Sequence, residues 1–160
     1  MIDLYKKNIA KTIPVPMFAR GHRLNAQKRT AEMEAASCAS ALNRIEKGRK
    51  EFGFVTSAVA YQYVKEVFPE FTVLKLGWTN PLPKALVTKF AKSVKKLLVV
   101  EELDPFLEDQ VKAMGIKVLA HKTELNMHEL NADRIQNLRH EILGDVPKAK
   151  VAKQVEGLTT

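Results

Sequence analysis

Three carboxylates that follow a short apolar run are the residues of this sequence best placed to do chemistry. Glu101, Glu102 and Asp104 come directly after residues 97–100, a run without polar alternation that is typical of a strand buried on both faces. In open α/β sheets, ligands bind at the carboxyl ends of the strands. Hydroxyl and amide side chains follow two other predicted strands at the same edge. The candidate strand-end edge contains eight residues: Thr56, Ser57, Trp78, Thr79, Asn80, Glu101, Glu102 and Asp104.

The same residue types also have a purely structural explanation. Loops after strands are polar whatever their function, and Thr56 or Ser57 can cap a following helix. Asp104 precedes Pro105, and capping alone explains this pair. Trp78 indicates either a buried partner surface or packing beneath a loop. We favour an interdomain contact at this edge over catalysis and over simple exposure to solvent.

Common catalytic and cofactor motifs are missing from the sequence. It contains no Gly-x-Gly-x-x-Gly, no Gly-x-x-x-x-Gly-Lys-Ser/Thr and no Gly-x-Ser-x-Gly. Cys38 is the single cysteine, so the chain forms no internal disulfide and cannot by itself hold an iron–sulfur cluster. We interpret the four histidines, which lack ligand spacing, as surface or hydrogen-bonded residues: His22, His121, His128 and His140. We therefore predict no catalytic residue, no cofactor-binding residue and no metal ligand in this chain.

The positive charge of the chain is concentrated near its N-terminus. Residues 1–50 contain eleven Lys/Arg and four Asp/Glu, which accounts for +7 of the formal net charge of +8. A basic arm can bind nucleic acid or dock on an acidic protein surface. Nucleic acid is the weaker interpretation, because no helix-turn-helix, zinc finger or interleaved aromatic residues accompany the charges. The single cysteine and the lack of an apolar run of about 18 residues favour a cytoplasmic protein without a membrane span.

Strand and helix patterns alternate from residue 51 to residue 143. This order predicts an α/β fold with a mostly parallel sheet and helices on both faces. The predicted strands are residues 52–55, 71–76, 97–100 and 116–120, and the predicted helices are residues 60–68, 83–94, 105–114 and 131–143. Asn131 and Gly144 are the expected caps of the last helix.

The first 50 residues are predicted to form a basic interdomain linker arm. Pro14 and Pro16 predict an extended backbone over residues 1–25, and an Ala-rich segment predicts a helix over residues 25–45. We place the α/β domain at residues 51–146. The last residues, 147–160, lack periodicity and are predicted to be a disordered tail.

Three segments, in order, resemble the second domain of indolepyruvate ferredoxin oxidoreductase alpha subunits, a thiamine-diphosphate-dependent family. They are VTSAVAYQYVKE (residues 55–66), VLKLGWTNPLP (73–83) and VVEELDPFLEDQV (99–111). Upstream, KNIAKTIPVPMFAR (7–20) resembles the linker that leaves the family's first domain. More distantly, the Pro-Leu-Pro turn and the Val-Val-Glu-Glu strand end are similar to the C-terminal domain of transketolases. That similarity implies a three-layer α/β/α fold with about five strands.

The resemblance implies that this chain is a non-catalytic structural and assembly domain of a larger subunit. It implies a parent enzyme that oxidatively decarboxylates aryl 2-oxoacids to acyl-CoA with thiamine diphosphate, Mg²⁺ and 4Fe-4S clusters. Coenzyme A, ferredoxin, a beta subunit and the other domains of the alpha subunit would be its partners. The family's diphosphate–Mg²⁺ motif, Gly-Asp-Gly followed by Asn, and its cluster cysteines belong to later domains and do not occur here.

The sequence departs from the family pattern at two positions and leaves two alternatives open. Ala58 stands where the family commonly has Gly, and Trp78 stands where it has a smaller residue. One alternative is a free-standing α/β binding module that uses its basic arm for a polyanion or a protein partner. The other is a self-sufficient small enzyme, for which the sequence contains no motif.

Overall fold

Strands and helices alternate through most of the chain in the computed structural model, which describes residues 6–13, 15–123, 125 and 129–144. The elements of this described part are, in chain order, α1 (Ile9–Thr12), α2 (Pro16–Ala39), β1 (Arg44–Glu46), β2 (Arg49–Ser57), α3 (Ala58–Val67), β3 (Phe71–Leu76), α4 (Lys84–Ala91), β4 (Lys96–Val100), α5 (Phe106–Ala113) and α6 (Ala132–Leu143).

The described strands form one mixed sheet in the order β1-β3-β2-β4. The central strand β2 is parallel to both β3 and β4, and β1 is antiparallel to β3 at the edge. Ser57 pairs with Leu76, and Thr56 pairs with Val100. The carboxyl ends of the three parallel strands therefore lie together at one edge, which confirms the predicted mostly parallel α/β sheet.

Each face of the sheet is covered by helices, so the domain has three layers. Alternate residues of a strand point to opposite faces, and the apolar side chains divide accordingly. Phe54, Val73 and Leu98 belong to the core cluster that includes residues of α3 and α6. Val55, Leu74 and Val99 belong to a second cluster with residues of α4 and α5. Buried apolar residues on both faces explain why the parallel strands lack polar alternation.

The N-terminal region differs from the prediction. The helix α2 begins at Pro16 and ends at Ala39, whereas the sequence predicted an extended arm to residue 25 and a helix from 25 to 45. Proline is compatible with the first helical turn, so Pro16 starts the helix instead of preventing it. Residues 44–46 form β1, because their backbone pairs with β3.

The predicted strand at residues 116–120 is also wrong. Leu119 N–H donates to the carbonyl of Leu97 at 2.7 Å, but this segment forms no strand in the described structure. The sheet of the described part accordingly has four strands. The domain limits at residues 50 and 146 remain predictions, and the predicted tail at 147–160 lies outside the described residues.

Candidate functional site

A cleft of about 270 Å³ opens where the carboxyl ends of the parallel strands meet the first turns of α3 and α5. Its lining residues are Ser57, Ala58, Val59, Ala60, Thr79, Glu101, Glu102, Asp104, Phe106 and Leu107. Five of the eight predicted edge residues are among them: Ser57, Thr79, Glu101, Glu102 and Asp104. Thr56, Trp78 and Asn80 do not line the cleft.

The carboxylate of Glu101 caps helix α5. One oxygen, Oε2, accepts the backbone N–H of Leu107 at 2.8 Å, and Oε1 accepts that of Glu108 at 2.9 Å. Glu101 is 8% exposed. Burial raises the pKa of its carboxyl group, in opposition to the two hydrogen bonds. The prediction that Asp104 caps this helix was wrong: Pro105 occupies the cap position without an acceptor, and Glu101 reaches the free N–H groups from the strand end.

The carboxylate of Glu102 binds the loop that precedes α6. Glu102 Oε1 accepts the backbone N–H of Leu130 at 3.0 Å, and Leu130 is buried. Asp104 is exposed, and its side chain has no hydrogen bond within the described residues. Two of the three predicted acidic residues thus hold neighbouring elements against the end of β4.

The chain turns through the left-handed region at two places beside the cleft. Ala58, the first residue of α3, has φ +46°, and Leu103, between β4 and α5, has φ +63°. This conformation costs a residue with a Cβ about 1–2 kcal/mol. A Gly at position 58 would adopt this conformation without that cost.

The hydroxyl groups at the end of β2 do not cap α3 as predicted. Ser57 is the N-cap residue of α3, but its side chain makes no capping hydrogen bond. Thr56 Oγ1 is buried and has no hydrogen-bond partner among the described residues. Both residues remain extended within the sheet, since Thr56 pairs with Val100 and Ser57 pairs with Leu76.

Asn43 is a structural residue that the sequence reasoning missed. Its Oδ1 accepts the backbone N–H groups of Gly77 and Trp78, at 2.9 and 2.8 Å. Its Nδ2 donates to the carbonyls of Ser37 and Trp78. The Trp78 ring N–H donates to the carbonyl of Asn80 at 2.9 Å. Trp78 therefore lies in a turn fixed to the end of α2, and an asparagine in a turn was the only sequence signal for this arrangement.

Three exposed apolar residues lie at or next to the acidic cleft: Val59 and Phe106 line it, and Leu103 stands between the lining residues Glu102 and Asp104 in the chain. Val59 is 43% exposed, Leu103 60% and Phe106 52%. We call these three residues the apolar rim. Clustered apolar groups next to polar ones are characteristic of surfaces that contact another protein or domain.

The described residues do not supply the parts of a metal centre. No group of three or more His, Cys, Asp and Glu in the described ranges is arranged to hold a metal ion. Within the same residues, no helix combines the length and apolarity needed to cross a membrane. The fold and the cleft define the class: an α/β domain whose parallel strand ends form an acidic cleft with an apolar rim.

Three curated relatives identify the family. The chain is 36% identical over 117 residues to the indolepyruvate oxidoreductase subunit IorA of Methanothermobacter thermautotrophicus, a match that covers 69% of this chain and 19% of that protein. The subunit IorA of Archaeoglobus fulgidus is 30% identical over 142 residues, covering 84% of this chain and 23% of the relative. That of Thermococcus kodakarensis is 31% identical over 154 residues, covering 88% and 24%.

The chain belongs to the family of the indolepyruvate oxidoreductase subunit IorA, which confirms the resemblance seen in the sequence. It spans about a fifth to a quarter of the length of these relatives. No family model matches the chain.

Proposed function

We propose that this chain is a non-catalytic structural and assembly domain of an indolepyruvate:ferredoxin oxidoreductase alpha subunit. Its strand-end edge would contact another domain of the subunit or a beta subunit. The observation that carries this proposal is the exposed apolar rim beside carboxylates that already accept hydrogen bonds from backbone N–H groups.

The hydrogen bonds of the cleft argue for docking over catalysis. A general base needs an oxygen within reach of a substrate proton. The oxygens of Glu101 accept two helix N–H groups, and Glu102 accepts that of Leu130. Burial of the apolar rim against a partner would remove Val59, Leu103 and Phe106 from water, which is the main favourable term in most protein association.

The activity of the parent enzyme is part of the same proposal. It would oxidatively decarboxylate 2-oxoacids to acyl-CoA in the cytoplasm, with coenzyme A as acyl acceptor and ferredoxin as electron acceptor. Thiamine diphosphate, Mg²⁺ and 4Fe-4S clusters would serve this parent enzyme. Cys38 is the single cysteine of the chain, which is too few ligands for a 4Fe-4S cluster, and the described residues form no group arranged to hold a metal ion. We assign these cofactors to other segments of the subunit. We also propose that this domain is similar in fold to the C-terminal domain of transketolases.

Substitution of the rim in a full-length subunit that contains this segment tests the docking role. We expect Leu103→Ser and Phe106→Ser to weaken assembly of the purified enzyme, measured by size-exclusion chromatography with light scattering. Leu24→Ser is the matched control, because Leu24 is 53% exposed, close to the 52% of Phe106, and belongs to α2, which does not line the cleft. Unchanged assembly in the rim variants, or equal loss in the Leu24 variant, would contradict the proposal.

A separate observation favours a second binding role for the N-terminal part of the chain. Residues 6–31 contain seven Lys/Arg and no Asp/Glu. This asymmetry supports the alternative of a module whose basic arm engages an anionic partner.

A further inference from the structure

The two N-terminal helices enclose a polar groove that is separate from the strand-end cleft. The groove has a volume of about 470 Å³ and is lined by Asn8, Ala10, Lys11, His22, Asn25 and Arg29. Lys11 comes from α1. His22, Asn25 and Arg29 come from α2, where their spacing of three and then four residues places them on one face of the helix.

Within the described residues, the cationic side chains of this groove lack the carboxylate partners that other cationic side chains of the domain have. Lys84 pairs with Glu34 at 2.9 Å, and Lys112 pairs with Glu108 at 2.6 Å. Within the described residues, by contrast, Lys11 and Arg29 have no carboxylate partner, and residues 6–31 contain no Asp or Glu that could provide one.

The neutral side chains of the groove are also able to donate. Asn8 Oδ1 already accepts the backbone N–H of Lys11 at 3.1 Å, which leaves the amide N–H₂ of Asn8 as its remaining polar group. Asn25 carries a second amide, and the ring of His22 can donate one hydrogen bond even when neutral. The groove therefore combines two fixed positive charges with three neutral donors.

We propose that this groove binds a phosphate group. A phosphate monoester carries a charge of about −1.5 to −2 near pH 7, which matches Lys11 and Arg29 together, whereas one carboxylate would balance only one of them. The guanidinium of Arg29 can bind two phosphate oxygens at once, and Lys11 acts as a point charge. Among the described residues that line the groove, none is Phe, Tyr or Trp, so these residues suit the phosphate and not an aromatic base. The source is either a small phosphorylated molecule or the backbone of a nucleic acid.

Calorimetric titration of the 160-residue chain with inorganic pyrophosphate at low salt tests the proposal. We expect saturable binding, and at least tenfold weaker binding by the double variant Lys11→Ala/Arg29→Ala. The matched control is Lys47→Ala/Lys89→Ala, which removes the same charge from two exposed lysines outside the groove. The control should change the dissociation constant less than twofold. Circular dichroism verifies that both variants fold.

A further titration, with an oligonucleotide, identifies the source of the phosphate. A short single-stranded oligonucleotide that binds more tightly than pyrophosphate, and loses affinity in the groove variant, indicates a nucleic acid; binding of pyrophosphate alone indicates a small ligand. Absence of saturable pyrophosphate binding, an equal loss in the control variant, or preferential binding of polyglutamate at the groove would overturn the proposal. The Leu103→Ser variant should bind pyrophosphate with the affinity of the wild type. A negative result for phosphate binding therefore leaves the docking role untouched, and a negative result for docking leaves phosphate binding untouched.

Discussion

Replacement of Glu101 by Gln tests the account of the strand-end edge. The wild-type carboxylate accepts two backbone N–H groups of α5, at 2.8 and 2.9 Å, from a position that is 8% exposed. Glutamine keeps one acceptor oxygen and presents an N–H₂ group to the other backbone N–H. A buried donor without a partner costs about 1–3 kcal/mol, and loss of a helix cap costs about 0.5–2 kcal/mol. These two energies describe the same lost hydrogen bond and are therefore not added. We expect Glu101→Gln to lower the unfolding free energy by about 1–3 kcal/mol.

Urea denaturation followed by circular dichroism measures this change, with Asp104→Asn as the matched control. Asp104 lies three residues away, carries the same charge and has no side-chain hydrogen bond within the described residues. Its substitution should therefore change stability by less than about 0.5 kcal/mol. If Asp104→Asn destabilises the domain as much as Glu101→Gln does, Asp104 caps α5 and the reasoning is refuted.

The pH dependence of the Glu101 variant provides a second check. Burial disfavours the charged carboxylate in the folded protein and so raises the pKa of Glu101 above its ordinary value of 4.5; the net contribution of this residue to stability therefore falls as pH rises through the raised pKa. The stability difference between wild type and Glu101→Gln should thus shrink as pH rises from below 4.5 through that raised pKa. A difference that grows with pH would contradict the sign of the shift.

Three other predictions concern the scaffold. Ala58→Gly should raise the unfolding free energy by up to about 1 kcal/mol in urea denaturation, because Gly tolerates φ +46°; a decrease would contradict this. Arg139→Ala should cost about 1–3 kcal/mol in thermal unfolding, since Arg139 binds the carbonyl of Val67 and the carboxylate of Glu70, each at 2.8 Å. Burial acts to raise the pKa of Glu70, but the hydrogen bond with Arg139, a backbone hydrogen bond and the charges of Arg139 and Arg49 together lower this pKa below its ordinary value of 4.5. The stability that Glu70 contributes above its ordinary pKa should therefore be lost as pH falls through its lowered pKa. This loss should be smaller in the Arg139→Ala variant.

The elements that the sequence predicts best are those whose apolar periodicity begins and ends at residues that favour the ends of a helix or strand. Residues 71–76 form β3 as predicted, and α6 has Asn131 as its N-cap and Gly144 in the left-handed conformation beyond its end. Residues 116–120 were mistaken for a strand because an apolar run does not reveal whether a neighbouring strand is available for pairing. The start of α2 was missed because Pro16 is compatible with both an extended arm and a first helical turn.

The location of the candidate site was predictable, but the roles of its residues were not. Parallel strands place their carboxyl ends together, so the edge formed by Ser57, Thr79 and Glu101 follows from the strand order alone. The local pair Asp104-Pro105 indicated a cap, whereas the actual cap comes from Glu101, six residues before the N–H that it binds. Such a contact depends on how the intervening turn folds, which no local pattern specifies.

Complementation in trans tests the central claim, that this chain is a non-catalytic assembly domain, most directly. The full-length subunit would be produced without the segment that corresponds to this chain, and 2-oxoacid oxidation would be measured with and without the separate 160-residue chain. We predict no turnover by the chain alone, defective assembly of the truncated subunit, and recovery of activity when the two are combined. Turnover by the isolated chain, or full assembly and activity of the truncated subunit without it, would contradict the account.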